Sequence, residues 1–307
     1  MSSPSDAERR FTLVAASLIA DALVLPVHWI YDPTAIAARG RRTELEAPDA
    51  SSYHGGQPAG GQTHYGQQAL TLLDALAASG GRFDLGAFGR AWQQLWAGEP
   101  GYRDGATRQT LAHLEAGVAW PEAGSSSSDW GGASRCAALV AATLEEDEET
   151  ALKAVMAQTE ATHRDPVVVE AAAFWTRAVR HVWQGVAVPE ALAQAASADY
   201  AILAAAEMLA RAEGAATQGA VAAVQTLGAA CGVQGALPST MAIALAHPQD
   251  LETALIENAM AGGDSAARGL ALGMLLGAAP GAVLPARWLA GWQARARVEQ
   301  ALMVAHA

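Results

Sequence analysis

The chain has 307 residues, of which 51% are hydrophobic and 16% charged, so it can bury a large core and is not a disordered protein. Its 31 acidic and 19 basic side chains give a formal net charge of −12, which argues against a general affinity for nucleic acid or anionic membranes. We therefore expect a globular protein that binds neither nucleic acid nor membrane. The charge does not exclude a small phosphate-bearing ligand, because a pocket can be locally positive. The oligomeric state of the protein, monomer or small homo-oligomer, is left open.

The start of the chain lacks a basic segment followed by an apolar core, and the apolar stretch 269–279 is shorter than a membrane span of about 20 residues. These features predict a cytoplasmic protein. Cys136 and Cys231 lie far apart in apolar surroundings, so we expect two buried thiols rather than a redox pair or a zinc knuckle.

Alanine-rich amphipathic segments recur along the chain, whereas alternating β-branched and aromatic runs are nearly absent. Because alanine is the best helix former, the sequence predicts an all-α fold. Without a repeat or a convincing linker, we expect one domain over residues 1–307. The predicted helices are 7–23, 67–78, 85–97, 106–117, 132–144, 150–160, 166–183, 189–196, 199–212, 218–227, 238–246, 249–260, 265–276 and 285–304.

Several features qualify these helices. Phe88, Trp92 and Trp96 share one helical face, which is typical of a core stripe rather than a stacking platform. Proline is expected in the first turn of four helices, at positions 166, 189, 238 and 285. The acidic run 145–149 reads as a solvated helix start. The stretch 43–63 is rich in Gly, Pro, Ser and Gln, and a loop of this length is usually functional.

Polar and titratable residues cluster at five places near helix starts. Because helix N-termini attract anions, five such clusters predict a cleft for a small phosphate-bearing molecule. Arg135, in an apolar segment, needs an anionic partner, either a side chain or a ligand phosphate. Helix or turn capping is the alternative role of Asp21 and Thr162. The clusters are Asp21 to Asp32, His54 with Gln62 to Gln67, Asp129 to Arg135, Thr162 to Pro166, and Gly262 to Arg268.

The fifth cluster is the most informative, because Gly262 and Gly263 permit a close backbone approach just before Asp264 at a helix start. No second carboxylate follows within three residues. A divalent metal normally needs more than one acid, so this segment alone does not predict a metal centre.

Taken in order, these segments resemble the ADP-ribosylglycohydrolase family, whose fold is a single all-α domain with a dinuclear magnesium site. The family's Gly-Asp-Ala-Leu-Gly is similar to 20–24, Thr-Asp-Asp-Thr-Gln to 63–67, Asn-Gly-x-x-x-Arg to 130–135, and Thr-His-x-x-Pro to 162–166. Its Gly-Gly-Asp-Thr-Asp-Thr is similar to 262–267, Gly-Ala-x-x-Gly to 277–281, and Ile-Pro-x-x-Trp to 284–288.

The departures from the family pattern fall on the implied metal ligands. His64 and Tyr65 replace both acids of the first metal motif, and Ala266 and Ala267 replace the last acid and threonine of the second. The resemblance therefore implies no cofactor, with magnesium on Asp264 and Thr63 as the alternative. The segments 28–32 and 63–67 are similar to the J-crystallin and selenoprotein J branch, in which the metal motifs are degraded.

The resemblance implies a hydrolase of an N- or O-glycosidic bond to ribose or ADP-ribose. Asp264 would be the general base or would stabilise an oxocarbenium-like transition state, and His64 would protonate the leaving group. A softer metal on His64, Asp264 and another histidine is a further possibility. The remaining site residues, expected to bind substrate, are Asp21, His28, Asp32, Thr63, Tyr65, Gln67, Arg135, His163, Gly262, Gly263 and Ser265.

Two other interpretations stay open. The chain could be a non-catalytic ADP-ribose-binding or crystallin-like structural protein that inherited the cleft, as the lost acids suggest. It could also be a helical scaffold whose polar clusters only cap helices. The hydrogen-bonding groups kept at His64 and Tyr65 favour the enzyme.

Overall fold

The computed structural model describes residues 4–98 and 101–305, and residues 1–3, part of the segment used to argue against a signal peptide, lie outside the described residues. The predicted all-α fold is confirmed: the described ranges contain no strand, only isolated bridges between Ser125 and His163 and between Asp129 and Gly232. None of the helices described is long and apolar enough to cross a membrane.

The helices follow one another in the order below. They are α1 Asp6–Val24, α2 Pro33–Ala37, α3 His64–Ala78, α4 Leu85–Ala97, α5 Gly105–Glu115, α6 Gly131–Ser134, α7 Ala137–Ala142, α8 Glu148–Glu160, α9 Pro166–Trp183, α10 Val188–Ala196, α11 Ala205–Ala216, α12 Ala220–Leu227, α13 Val233–Ala246, α14 Leu251–Ala261, α15 Ser265–Gly277, α16 Ala286–Gly291 and α17 Arg295–Ala305.

Helices α1 and α15 pack against each other at the centre of the fold. Every residue of α15 is buried, and so is α1 from Leu13 onwards. A Cβ on Gly273 would overlap the carbonyl oxygen of Ala16, and one on Gly277 would lie 2.7 Å from the Ala16 Cβ. Only small residues permit this approach. The pair matters for function because α1 carries Asp21 and Asp264 immediately precedes α15.

The predicted bounds of α4 and α9 agree with the structure. The aromatic stripe of α4 is core, as expected, since Phe88, Trp92 and Trp96 are at most 2% exposed. The acidic run also behaves as predicted: Asp147 caps α8 by accepting from the Thr150 N–H at 2.9 Å. One cluster of buried apolar side chains extends from Leu13 to Ala301.

Two predicted helices are interrupted. The prediction 132–144 is divided into α6 and α7 at Arg135, whose side chain binds Gln68 of α3 and Gln158 of α8. The prediction 285–304 is divided into α16 and α17, because Gln293 donates its backbone N–H to Gly60 and its side chain to Ala59, each at 3.1 Å.

Two further helices begin elsewhere than predicted. Helix α11 starts at Ala205 rather than at 199, because the Glu170 carboxylate accepts the backbone N–H groups of residues 201–203 and holds them as a loop. Pro238, expected in a first turn, lies inside α13, which begins at Val233. The other three prolines stand at helix starts: Pro166 and Pro189 in the first turns of α9 and α10, and Pro285 as the N-cap of α16.

Candidate functional site

The Gly262–Gly263 segment approaches protein backbone closely. Both residues have positive φ, 66° and 64°, and a Cβ would overlap the carbonyl of Ile30 or Ala229 respectively. Trp29 donates its N–H to the Gly263 carbonyl at 2.8 Å, and Gly263 donates to the Ile30 carbonyl at 2.7 Å. Trp29 itself has φ 66°, a strained conformation for a non-glycine residue of the kind that clusters at functional sites.

Asp264 is held at the end of this segment with an unsatisfied carboxyl group. The residue is completely buried, and its backbone N–H donates to the Ala229 carbonyl at 2.8 Å. Neither side-chain oxygen has a hydrogen-bond partner among the described residues. Burial, followed by the charge of Asp129, raises the pKa of Asp264 well above its ordinary value. An unsatisfied buried carboxyl group is costly, so this one indicates a binding function.

Asp129 supplies a second carboxyl group beside the first. Its Oδ2 accepts from the Tyr65 hydroxyl at 2.9 Å and its Oδ1 from the Gly131 N–H at 2.7 Å. Burial raises the pKa of Asp129 to about 6. One ligand atom each from Asp129, Cys231 and Asp264 lie within 4.8 Å of one another.

The two cysteines differ in burial. Cys136 is buried as predicted, but the prediction was wrong for Cys231, which is only partly buried. Its Sγ lies within 4.8 Å of a carboxyl oxygen of Asp129 and of Asp264. Burial raises the pKa of Cys231 to about 12, so it stays a neutral thiol.

Three buried histidines form a second group next to the carboxyl pair. The Nε2 atom of His54 lies 3.1 Å from Nδ1 of His64, and His28 joins them with one nitrogen of each ring within 4.8 Å. His28 also connects the two groups, because its Nδ1 lies 3.6 Å from Asp264 Oδ1. Burial, together with the other histidines, lowers the pKa of His54 to about 3 and that of His28 well below its ordinary value.

Asp104 lies behind His64. Its Oδ2 is 3.2 Å from His64 Nε2, and its Oδ1 caps α5 by accepting the Thr107 N–H at 2.6 Å. Burial alone would raise the pKa of Asp104, but the adjacent His64 lowers it below its ordinary value. His64 therefore has a neighbour at each ring nitrogen: His54 is a hydrogen-bond partner of Nδ1, and Asp104 faces Nε2 at ion-pair distance without a well-aligned hydrogen bond.

Asp21 does not cap the turn before Pro26, the alternative considered for it. It accepts from the backbone N–H of Thr63 at 2.8 Å and from the Thr63 hydroxyl. Burial raises the pKa of Asp21 to about 6 despite these hydrogen bonds. Thr63 in turn caps α3 by accepting the Tyr65 N–H at 3.1 Å. This pair fixes the start of α3 against α1.

Arg135 has neutral partners where an anion was expected. Its guanidinium donates to Gln158 Oε1 at 2.6 Å, Gln68 Oε1 at 2.8 Å and Thr162 Oγ1 at 2.6 Å, and the residue is 1% exposed. The anionic side chain, one of the two partners expected for Arg135, is therefore not found among its hydrogen-bond partners in the described residues, and the ligand phosphate stays a prediction. Amide and hydroxyl oxygens satisfy the guanidinium instead, which leaves it facing protein.

Two of the other predicted residues, His163 and Ser265, are buried. His163 is buried with its Nδ1 2.8 Å from the Thr162 hydroxyl, whereas Asp165, not Thr162, caps α9. Ser265 is buried with a hydroxyl that has no partner among the residues described. Asp32 and Gln67 lie apart from these contacts. The exposed Asp32 caps α2 through Thr34 at 2.9 Å, and Gln67 is half-buried on α3.

The structure adds functional candidates that the sequence argument did not select: His54, Gln68, Asp104, Asp129 and Cys231. His54 and Asp129 lay inside polar clusters, so the signal was present. Asp104 had only the pattern of a helix cap, and its contact with His64 depends on the fold.

A surface cavity of about 810 Å³ lies elsewhere, around 182–189, 248–252 and 276–285, and includes none of these side chains.

The protein is all-α, with a buried cluster of polar side chains near the starts of its helices. The ADP-ribosylglycohydrolase family model matches residues 2–307, and the chain belongs to that family. A solved structure described as an "ADP-ribosylglycohydrolase-related protein complex" is similar in fold, with a TM-score of 0.74, 23% identity and 98% of each chain covered. No curated protein matches the sequence. The more specific branch suggested by 28–32 and 63–67 stays a prediction.

The two-magnesium centre implied by the family does not fit these side chains. Magnesium requires several hard oxygen ligands, but His64, Tyr65, Ala266 and Ala267 occupy positions where the family has acids or threonine. Among the acids nearby, Asp21 is bound to Thr63 and Asp129 to Tyr65 and Gly131. Asp264 is left as the uncommitted carboxyl group of this donor set.

Proposed function

We propose that this chain is a hydrolase that cleaves an N- or O-glycosidic bond to ribose or ADP-ribose without a two-magnesium centre. The observation that carries the proposal is the buried carboxyl group of Asp264, whose oxygens have no hydrogen-bond partner among the described residues. Membership of a glycohydrolase family supports the reaction type. The small-molecule substrate follows from the same membership.

The carboxyl pair supplies the groups that such a reaction needs. Most glycosidases use two carboxyl groups, one that protonates the leaving group and one that acts as base, nucleophile or stabiliser of the oxocarbenium-like transition state. Asp129 and Asp264 have ligand oxygens within 4.8 Å of each other. Two carboxyl groups this close favour a single shared proton, so the pair can supply both an acid and a base.

His64 is less suited to the proton-donor role expected from the sequence. Its two ring nitrogens already face His54 at 3.1 Å and Asp104 at 3.2 Å. A general acid must reach the leaving group with its proton. Asp264 has no hydrogen-bond partner among the described residues, and each oxygen of Asp129 accepts one hydrogen bond and keeps a further lone pair. We therefore place acid and base catalysis on Asp129 and Asp264, and give His64 a role in holding the adjacent wall of the site.

The test is hydrolysis by Asp264→Asn and Asp129→Asn of ADP-ribosylated arginine and serine peptides and of ribosyl derivatives. We expect each variant to lower kcat/KM by about 100- to 10,000-fold, the usual contribution of a general acid or base. Asp199→Asn, at an exposed position, is the matched control and keeps full activity. Asp264→Asn should not lower the melting temperature, because the carboxyl group that it replaces makes no hydrogen bond among the described residues.

Two outcomes would contradict the proposal. Absence of turnover with every substrate, together with no binding of ADP-ribose or ribose by calorimetry, would instead support the non-catalytic interpretation. Turnover that persists in Asp264→Asn would show that the carboxyl pair is not the reacting centre.

A further inference from the structure

The three histidines of the site are arranged as a set of metal ligands. Their rings come from different parts of the chain: His28 follows α1, His54 lies in the long loop, and His64 begins α3. The ring centroids are 5.3 Å apart for His54 and His64, 5.4 Å for His28 and His54, and 6.0 Å for His28 and His64.

These separations are close to those of imidazoles on one metal ion. With zinc–nitrogen bonds of about 2.0–2.1 Å and tetrahedral angles, ring centroids would be about 5.2 Å apart and ligand nitrogens about 3.3 Å apart. The His54 Nε2 to His64 Nδ1 distance is 3.1 Å. A small inward movement of His28 would complete the set.

The hydrogen bonding of His28 also supports a metal site. Nε2 of His28 is buried and has no hydrogen-bond partner among the residues described. Nδ1 of the same ring accepts the Ala266 N–H at 3.4 Å and lies 3.6 Å from Asp264 Oδ1. His28 as a whole is 6% exposed. A buried ring nitrogen without a partner is costly in a purely structural cluster, and a metal ion would satisfy it.

One of the three rings has a carboxyl group behind it. Asp104 faces His64 on the side away from His54. A carboxylate on the outer nitrogen of a metal-bound histidine fixes the ring and its tautomer, and this is the usual outer-shell arrangement of protein metal sites.

We propose that His28, His54 and His64 bind one divalent transition-metal ion of the zinc class, with Asp104 as the outer-shell carboxylate of His64. Imidazole suits zinc, copper, nickel and iron, whereas magnesium prefers oxygen. Three protein ligands leave a fourth coordination position open. The site does not depend on the proposed hydrolysis, because binding is measured without substrate.

The test uses tag-free full-length protein that has been stripped with a chelator. Zinc is titrated by calorimetry, and cobalt by its visible ligand-field absorption, which reports nitrogen coordination. We expect one equivalent of each ion to bind, with a cobalt spectrum typical of a low-coordinate site, and we expect magnesium at the same concentration not to compete.

The variants separate a built site from adventitious binding. His54→Gln removes a ligand at the loop, and we expect it to weaken cobalt binding by about 100-fold or more, whereas Asp104→Asn should weaken it by about 10- to 100-fold. Asparagine retains the helix cap at that position. His247→Gln, at the end of α13, is the matched control and should bind as tightly as the unmodified chain.

Circular dichroism without metal confirms that each variant is folded. Three results would overturn the proposal: no stoichiometric cobalt band, equal affinity in His54→Gln and the unmodified chain, or an equal loss in His247→Gln. The first would mean that the three imidazoles form only a hydrogen-bonded cluster. Absence of hydrolysis by the unmodified chain with intact cobalt binding would count against the proposed function and not against this site.

Discussion

His163 illustrates how a single buried residue ties the stability of the site to pH. It is 2% exposed, its Nδ1 contacts the Thr162 hydroxyl, and its Nε2 has no partner in the described part of the chain. Burial, followed by the charge of Arg135, lowers its pKa from 6.5 to about 3, although the charge of Asp104 acts in the opposite direction. The folded protein therefore holds this ring neutral.

Acid should destabilise the protein through this ring. Between the unfolded pKa of 6.5 and the folded value of about 3, the unfolded chain binds more protons, so stability falls as pH is lowered through that window. The cost for one such group is about 2 kcal/mol between pH of about 7 and about 5. We predict that His163→Gln removes this share of the acid sensitivity.

The measurement is the free energy of unfolding by urea at several pH values. The slope against pH should be shallower in His163→Gln than in the unmodified chain, whatever the absolute stability of the variant. His247→Gln serves as the control. Identical slopes in all three proteins would show that folding does not change the pKa of His163.

Single residues also show where sequence reasoning succeeds and fails. Asp264 could be selected because it follows two glycines at a helix start. The partners of Arg135 could not be predicted, because Gln68 and Gln158 belong to other helices and only the packing of α3 and α8 brings their oxygens to the guanidinium. The contact of Asp104 with His64 could not be predicted for the same reason.

At the scale of the helices, the contact of α1 with α15 positions the site. Gly273 lies where a Cβ would overlap the Ala16 carbonyl oxygen. We predict that Gly273→Ala destabilises the fold by about 1–3 kcal/mol, the typical cost of overpacking, because neither helix can move aside without disturbing the core. Chemical denaturation measures this difference.

The matched control is Gly214→Ala, also a glycine inside a helix. A Cβ there meets nothing within 4 Å, and position 214 is exposed on α11. Alanine should stabilise that helix by about 0.5–1 kcal/mol. Two substitutions of the same chemistry therefore have opposite expected signs. A stabilising Gly273→Ala would mean that α1 and α15 are less tightly packed than the structure indicates.

The sequence predicts helices better than their interruptions. Local propensity and caps determine α4 and α9, and their predicted bounds match. The break between α16 and α17 depends instead on hydrogen bonds from Gln293 to Gly60 and Ala59. Such contacts join segments more than 200 residues apart, and no local pattern encodes them.

Charge acts on the molecule as a whole. The net charge is −12. Two buried arginines, Arg135 and Arg268, are already hydrogen-bonded to other groups of the protein. Arg135 contacts Gln68, Gln158 and Thr162. Arg268 is completely buried and donates to Asn258 and to the carbonyl groups of Ala229 and Gly262. Each guanidinium is therefore already hydrogen-bonded to neutral oxygen atoms of the protein.

This charge distribution predicts how salt should affect turnover. An ADP-ribosyl substrate carries negative charge and approaches an acidic protein, so salt that screens their repulsion should speed its association with the enzyme. Salt should not change the association of a neutral ribosyl substrate. We predict that kcat/KM for the ADP-ribosyl substrate rises about two- to threefold between about 20 and 200 mM NaCl. The neutral substrate, measured in parallel, controls for salt effects on the protein. A fall in kcat/KM with salt would reveal attraction instead of repulsion, and would mean that helix N-termini make the pocket positive despite the surrounding charge.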